Sequence, residues 1–112
     1  MQRITLITLC LLAGNALAEP DAAAGLANIQ SLGQLNGQAL ACQQMALSSQ
    51  SKSLMIKHAP KTRRYGEVFE EATNAGYLEQ GKDTDKCASA ADFKKRLADL
   101  AAQLQSTLPP AP

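Results

Sequence analysis

Three cysteines decide what sulfur chemistry is open to this chain: Cys10, Cys42 and Cys87. Cys10 lies inside an apolar run that begins at Ile4, after the positive start Met1–Gln2–Arg3. That run is followed by Ala16-Leu17-Ala18, the small-x-small pattern after which signal peptidase cleaves. Residues 1–18 therefore read as a signal peptide, because a membrane-spanning helix needs about 20 apolar residues and this run is shorter. Leu9 stands before Cys10 where lipid attachment requires a small residue, so Cys10 is expected to leave with the leader. Cys42 and Cys87 remain, an even pair in an exported protein, and an oxidising compartment makes a disulfide the default. The bond would close a loop of about 45 residues, for which chain entropy gives roughly 4 kcal/mol.

Other chemistry finds fewer materials. There is one histidine, and no Gly-rich phosphate loop, GxSxG elbow or HExxH pattern appears. Glu67, Glu70 and Glu71 share a stretch with Val68 and Phe69 and read as a solvated helix face. An acid/base pair needs one carboxyl held out of water. No enzymatic activity and no cofactor are expected. Met55 and His58 lie three apart, with Met45 ten residues before Met55, a thioether-and-imidazole set that suits copper. The competing reading makes the methionines core fillers and His58 a residue at a helix C-terminus, where positive charge is favoured. Lys57, His58, Lys61, Arg63 and Arg64 form a basic run that either docks an acidic partner or is a solvated face balanced by the three glutamates.

Removing 18 residues from 112 leaves 94, enough for one small domain. Only Arg3 is lost from the charge count, so ten basic residues face ten acidic ones. A balance near zero argues against nucleic acid and anionic membranes as partners. No second apolar run is long enough to span a bilayer. With two Phe, two Tyr and no Trp, the core must come from Leu, Ala, Met and Val. Such a core is thin, and a cross-link would supply a large share of its stability.

The elements that must position these residues all read as helices, giving an all-α domain over residues 19–108. Asp21 is placed to cap a first helix from Ala22 to about Leu35. Leu32, Leu35, Ala39, Cys42 and Ala46 continue at steps of three and four, which predicts a helix running on through Asn36-Gly37 and past Cys42. Ser48-Ser49-Gln50-Ser51 is a polar patch expected to loosen the chain. Pro60 ends the helix at His58-Ala59, and Thr62 can cap the next. From Arg63 to Gln80 the apolar positions Tyr65, Val68, Phe69, Ala72, Ala75 and Leu78 keep helical spacing. Gly66 and Gly76 weaken this helix but permit close approach of a neighbour, and Gly81 is placed to stop it. A charged loop, Lys82–Lys86, leads to Cys87. Ser89 to Asp92 resembles a capping box, Asp92 and Arg96 are an i, i+4 ion pair, and Phe93, Leu97, Leu100 and Leu104 form the stripe of a last helix. Pro109, Pro110 and Pro112 make residues 109–112 a disordered tail. The expected architecture is a small three- to four-helix bundle stapled by one disulfide.

This layout resembles the HdeA-type acid-stress chaperones of the bacterial periplasm. The likeness rests on a cleaved signal, a mature chain near ninety residues, two cysteines some forty-odd residues apart, and Cys87-Ala-Ser-Ala-Ala-Asp-Phe93-Lys94-Lys95-Arg96-Leu97. Leu40-Ala41-Cys42 stands where that family has a tryptophan context. The resemblance implies a periplasmic protein, folded and homodimeric at neutral pH, that loosens in acid and holds unfolding periplasmic proteins. Below about pH 3 the carboxylates neutralise and net charge rises to about +11, counting His58. Self-repulsion would open the thin core, and Leu32, Leu35, Phe93, Leu97, Leu100 and Leu104 would be the holding surface. The alternatives are an accessory subunit or inhibitor that binds one envelope partner at neutral pH, and a copper carrier. Intact mass spectrometry of the exported form is expected to give the mass of residues 19–112 less two hydrogens, which reads cleavage and cross-link together.

Overall fold

Helix α1 runs without a break from Pro20 to Ala41 in the computed structural model, which describes residues 20–110. The expected leader over residues 1–18 lies outside the described residues, as do Glu19, Ala111 and Pro112. Three further helices follow: α2 (Met45–His58), α3 (Arg63–Gly81) and α4 (Ala90–Thr107). A single 3-10 turn, Thr84–Lys86, precedes Cys87, and no strand occurs among the described residues. The all-α bundle is therefore present, with four helices.

Its boundaries follow local chemistry in most places. Proline at the first helical position of α1 costs nothing, because its missing N–H is one that helix starts leave unpaired. Asn36-Gly37 continues the helix as expected. Ala59 is extended (φ −74°, ψ 136°) ahead of Pro60, which ends α2 at His58. Ser89 caps α4 by accepting the Asp92 backbone N–H at 3.1 Å. The Asp92 carboxylate pairs with Arg96 at 3.5 Å.

Four local expectations are corrected. The helix does not pass through Cys42: the chain turns over residues 42–44, where Gln43 takes a left-handed φ of 60°. The apolar stripe of α1 accordingly stops at half-buried Cys42, and Ala46 is exposed on α2. The serine patch does not loosen the chain, since α2 is continuous and buries Ser48 and Ser51. Thr62 occupies the N-cap position of α3 without a side-chain cap bond, and Gly81 ends that helix without a left-handed turn.

α1 is the axis of the bundle and touches each of the other three helices. On one side Ile29, Leu32, Leu35 and Ala39 meet Leu47 of α2 and Phe93, Leu97 and Leu104 of α4. Fully burying one such large side chain contributes about 1.5–3 kcal/mol, so the apolar stabilisation is concentrated between α1, α2 and α4. α3 lies on the other side, parallel to α1, since Gly33 faces Phe69 and Ala72 while Gly37 faces Thr73 and Tyr77. Its only fully buried residue is Gly76, with Tyr65, Val68 and Phe69 half-buried against the core.

Glycine makes that pairing possible. A Cβ at Gly33 would come within 2.6 Å of the Phe69 carbonyl oxygen, and one at Gly76 equally close to that of Gln34. At Gly37 it would collide with the Thr73 carbonyl oxygen and the Tyr77 backbone nitrogen. The two backbones therefore lie almost directly against each other. Gly66 has no such role, because nothing lies within 4 Å of its Cβ direction. A buried polar chain crosses the same interface: Ser48 Oγ donates to Asn36 Oδ1 at 2.6 Å, and Asn36 Nδ2 donates to Thr73 Oγ1 at 3.2 Å. It ties α2 to α1 and α1 to α3.

Two tests follow by urea denaturation of the oxidised chain. Gly37→Ala is expected to cost about 1–3 kcal/mol as overpacking against backbone that cannot yield, whereas Gly66→Ala gains up to about 1 kcal/mol of helix propensity. Asn36→Ala strands Ser48 and Thr73 and is expected to cost about 1–3 kcal/mol. A Gly37→Ala protein as stable as the parent would contradict the close approach.

Candidate functional site

Cys42 and Cys87 are joined, with their Cα atoms 5.9 Å apart. The turn after α1 presents the first, and the extended segment before α4 presents the second. The bond therefore fastens one end of the α1–α4 pair. At the other end, Asn28 Nδ2 donates to Thr107 Oγ1 at 2.9 Å, and Leu108 packs over Gly25. α4 is thus antiparallel to α1 and held at both ends.

His58 belongs to this second clasp. It is buried, and its Nδ1 lies 2.8 Å from the Leu108 carbonyl oxygen. A carbonyl only accepts, so Nδ1 carries the hydrogen. Met55 is half-buried against the core, as the filler reading expects. Met45 begins α2 and is exposed. Ten residues of helix separate it from Met55, about 15 Å along the axis, so the two thioethers cannot share one ion. Among the described residues no group of three His, Cys, Asp or Glu side chains is placed to hold a metal.

The basic run is divided by the fold. His58 is internal, the Lys61 ammonium donates to the Ile56 carbonyl at 2.9 Å, and Arg63 and Arg64 are exposed at the start of α3. No ion pair among the described residues joins these arginines to Glu67, Glu70 or Glu71. The three glutamates are exposed along α3, with Glu70 on the rim of a cleft shared by Asn36, Lys52, Thr73 and Tyr77. The four ion pairs that do form are all exposed and link residues three or four apart. Pairs of that kind contribute little, and none bridges two helices.

Charge is nevertheless divided unequally between helices. α3 carries Glu67, Glu70, Glu71 and Glu79 against Arg63 and Arg64, a formal −2. α2 carries Lys52 and Lys57 with no carboxylate, and α4 carries Lys94, Lys95 and Arg96 against Asp92 and Asp99. Within α1 the one charged residue is Asp21. The most acidic helix is therefore the one attached through the fewest buried side chains.

The residues expected to hold a client are brought together, but inward. Leu32, Leu35, Phe93, Leu97 and Leu104 are buried in one cluster and Leu100 packs on its edge. They become a surface only when the bundle opens. The apolar groups that water already reaches are others: Met45, Ile56, Tyr77 and Leu78. Leu78 was expected on the packed face of α3 and is 57% exposed, because Gly76 and its neighbours occupy that contact. Spacing misses Ile56 because it belongs to an apolar triplet, Leu54-Met55-Ile56, of which two members pack inward.

No helix among the described residues is long and apolar enough to cross a membrane, and the disulfide is compatible with export. No protein-family model, curated protein or solved structure matches the chain.

Proposed function

We propose that this protein is a periplasmic holdase of HdeA-like behaviour, which binds other proteins when acid opens its bundle and has no catalytic role. The observation that carries the reading is the charge of α3. At neutral pH a helix of formal −2 faces the cationic α2 across one cleft, whose lining includes Lys52 and Glu70. Strong acid neutralises carboxylates as a class, which leaves α3 with the formal +2 of Arg63 and Arg64. α2 stays positive through Lys52 and Lys57, and α4 keeps Lys94, Lys95 and Arg96 with fewer charges to offset them. Attraction present at neutral pH thus turns to repulsion in acid, and the helix it acts on contributes only Gly76 to the fully buried interior.

α3 then leaves α1 and uncovers the half-buried Tyr65, Val68 and Phe69 to clients; the leucine cluster on the far side of α1 follows only as α2 and α4, both cationic in acid, separate. The Cys42–Cys87 bond limits how far the opened chain can expand. The test is aggregation of an acid-sensitive client protein at pH 2 to 3, with and without the oxidised protein. Protection in acid and none at pH 7 is expected. Replacing Glu67, Glu70 and Glu71 by Gln is expected to move the gain of dye-binding surface to higher pH. An absence of protection at any ratio of protein to client sinks the reading.

A further inference from the structure

The closed bundle carries a second surface, on the face away from α3. Between α2 and α4 lies an open cleft of about 460 Å³ whose floor is Leu54, Leu97, Ala98 and Ala101. Its walls run from Gln50 to Lys57 on one helix and from Lys94 to Ala101 on the other. Each wall is eight residues of helix, about 10 Å from end to end, or two turns. Lys57 also lines a neighbouring cleft of about 640 Å³, together with Ile56, Leu108 and Pro110, so the two abut. Ile56 is 68% exposed there, the most exposed large apolar side chain among the described residues.

Charge distinguishes this strip from the other clefts. Those bordering α1 contain Glu70, Asp99 or Glu79. Neither cleft of the α2–α4 strip has a carboxylate in its lining, and lysines supply its charge: Lys94, Lys57 and Lys61. Lys94 and Lys57 stand on opposite walls and at opposite ends, and neither makes an ion pair among the described residues.

We infer that this strip is a neutral-pH docking groove for an acidic amphipathic helix of a protein partner. Apolar side chains at i, i+3 or i+4 and i+7 of that helix would lie along the Leu54–Ala101 floor. Carboxylates flanking them near each end would meet Lys94 and Lys57. The groove needs no opening of the bundle, although Leu97 belongs both to its floor and to the leucine cluster.

The experiment titrates the isotope-labelled, oxidised full-length exported chain at pH 7 with a synthetic amphipathic helical peptide. The peptide bears leucines at those spacings and glutamates beside them. A second peptide carries lysine in place of each glutamate, and dodecanoate serves as a non-peptide anionic amphiphile. Amide shifts are expected to concentrate at residues 50–57 and 94–101 with the acidic peptide. Its Kd is expected to rise about tenfold in the Lys57→Glu, Lys94→Glu protein. That variant is expected to prefer the lysine peptide. Both lysines are exposed, and unchanged helical circular dichroism verifies that the variant is folded. Equal binding of both peptides, shifts centred on other helices, or binding of dodecanoate without the peptide would each overturn the proposal.

Discussion

The contact of α1 backbone against α3 backbone is the constraint on which the rest of the molecule depends. Gly33 and Gly37 lie one helical turn apart on α1, and Gly76 answers from α3. With side chains absent there, the helices approach until carbonyl oxygens occupy the space a methyl group would need. That closeness places Thr73 within reach of Asn36 and gives the buried amide a partner on each side. It also frees the opposite face of α1 to carry Ile29, Leu32 and Leu35 toward α2 and α4. One helix thus has a flush face and a leucine face, and the bundle is asymmetric as a result.

This asymmetry separates two kinds of cohesion. The α1–α2–α4 side is held by burial of Phe93, Ile29, Leu32 and Leu104, by the disulfide, and by the contacts around Leu108. The α3 side is held by shape, one short polar chain and half-buried aromatic rings. Apolar burial is indifferent to acid, whereas the balance of charge on α3 is not. Sensitivity to pH and resistance to it therefore occupy different halves of one small domain.

Much of this arrangement was legible in the residues. The helix ends at His58 and near Gln80, the Ser89 cap, the Asp92–Arg96 pair and the joined cysteines each have local causes, which periodicity and proline, serine or cysteine chemistry reveal. The turn at Gln43 was not, because no glycine or asparagine marks the left-handed position. Ser48 and Ser51 read as a loosening patch because a polar letter does not reveal its partner: Asn36 arrives from another helix, and Leu47 supplies a carbonyl from the preceding turn. Gly66 and Gly76 are equal as letters, yet one faces open space and the other a neighbouring main chain. The inward faces of α1 and α4 were legible as apolar stripes, while the groove between α2 and α4 depends on how two stripes meet and has no local sign.

The position of the cross-link has a topological consequence. Everything from Gln43 to Lys86, including α2, α3 and both exposed connections around Lys61 and Lys82, sits inside a covalent ring closed by Cys42 and Cys87. A single protease scission anywhere within that ring leaves one molecule rather than two fragments. Such a nicked chain keeps α1 and α4 tethered while freeing an end of the α2–α3 arm, so damage that would dismember a linear bundle would here only lengthen its reach.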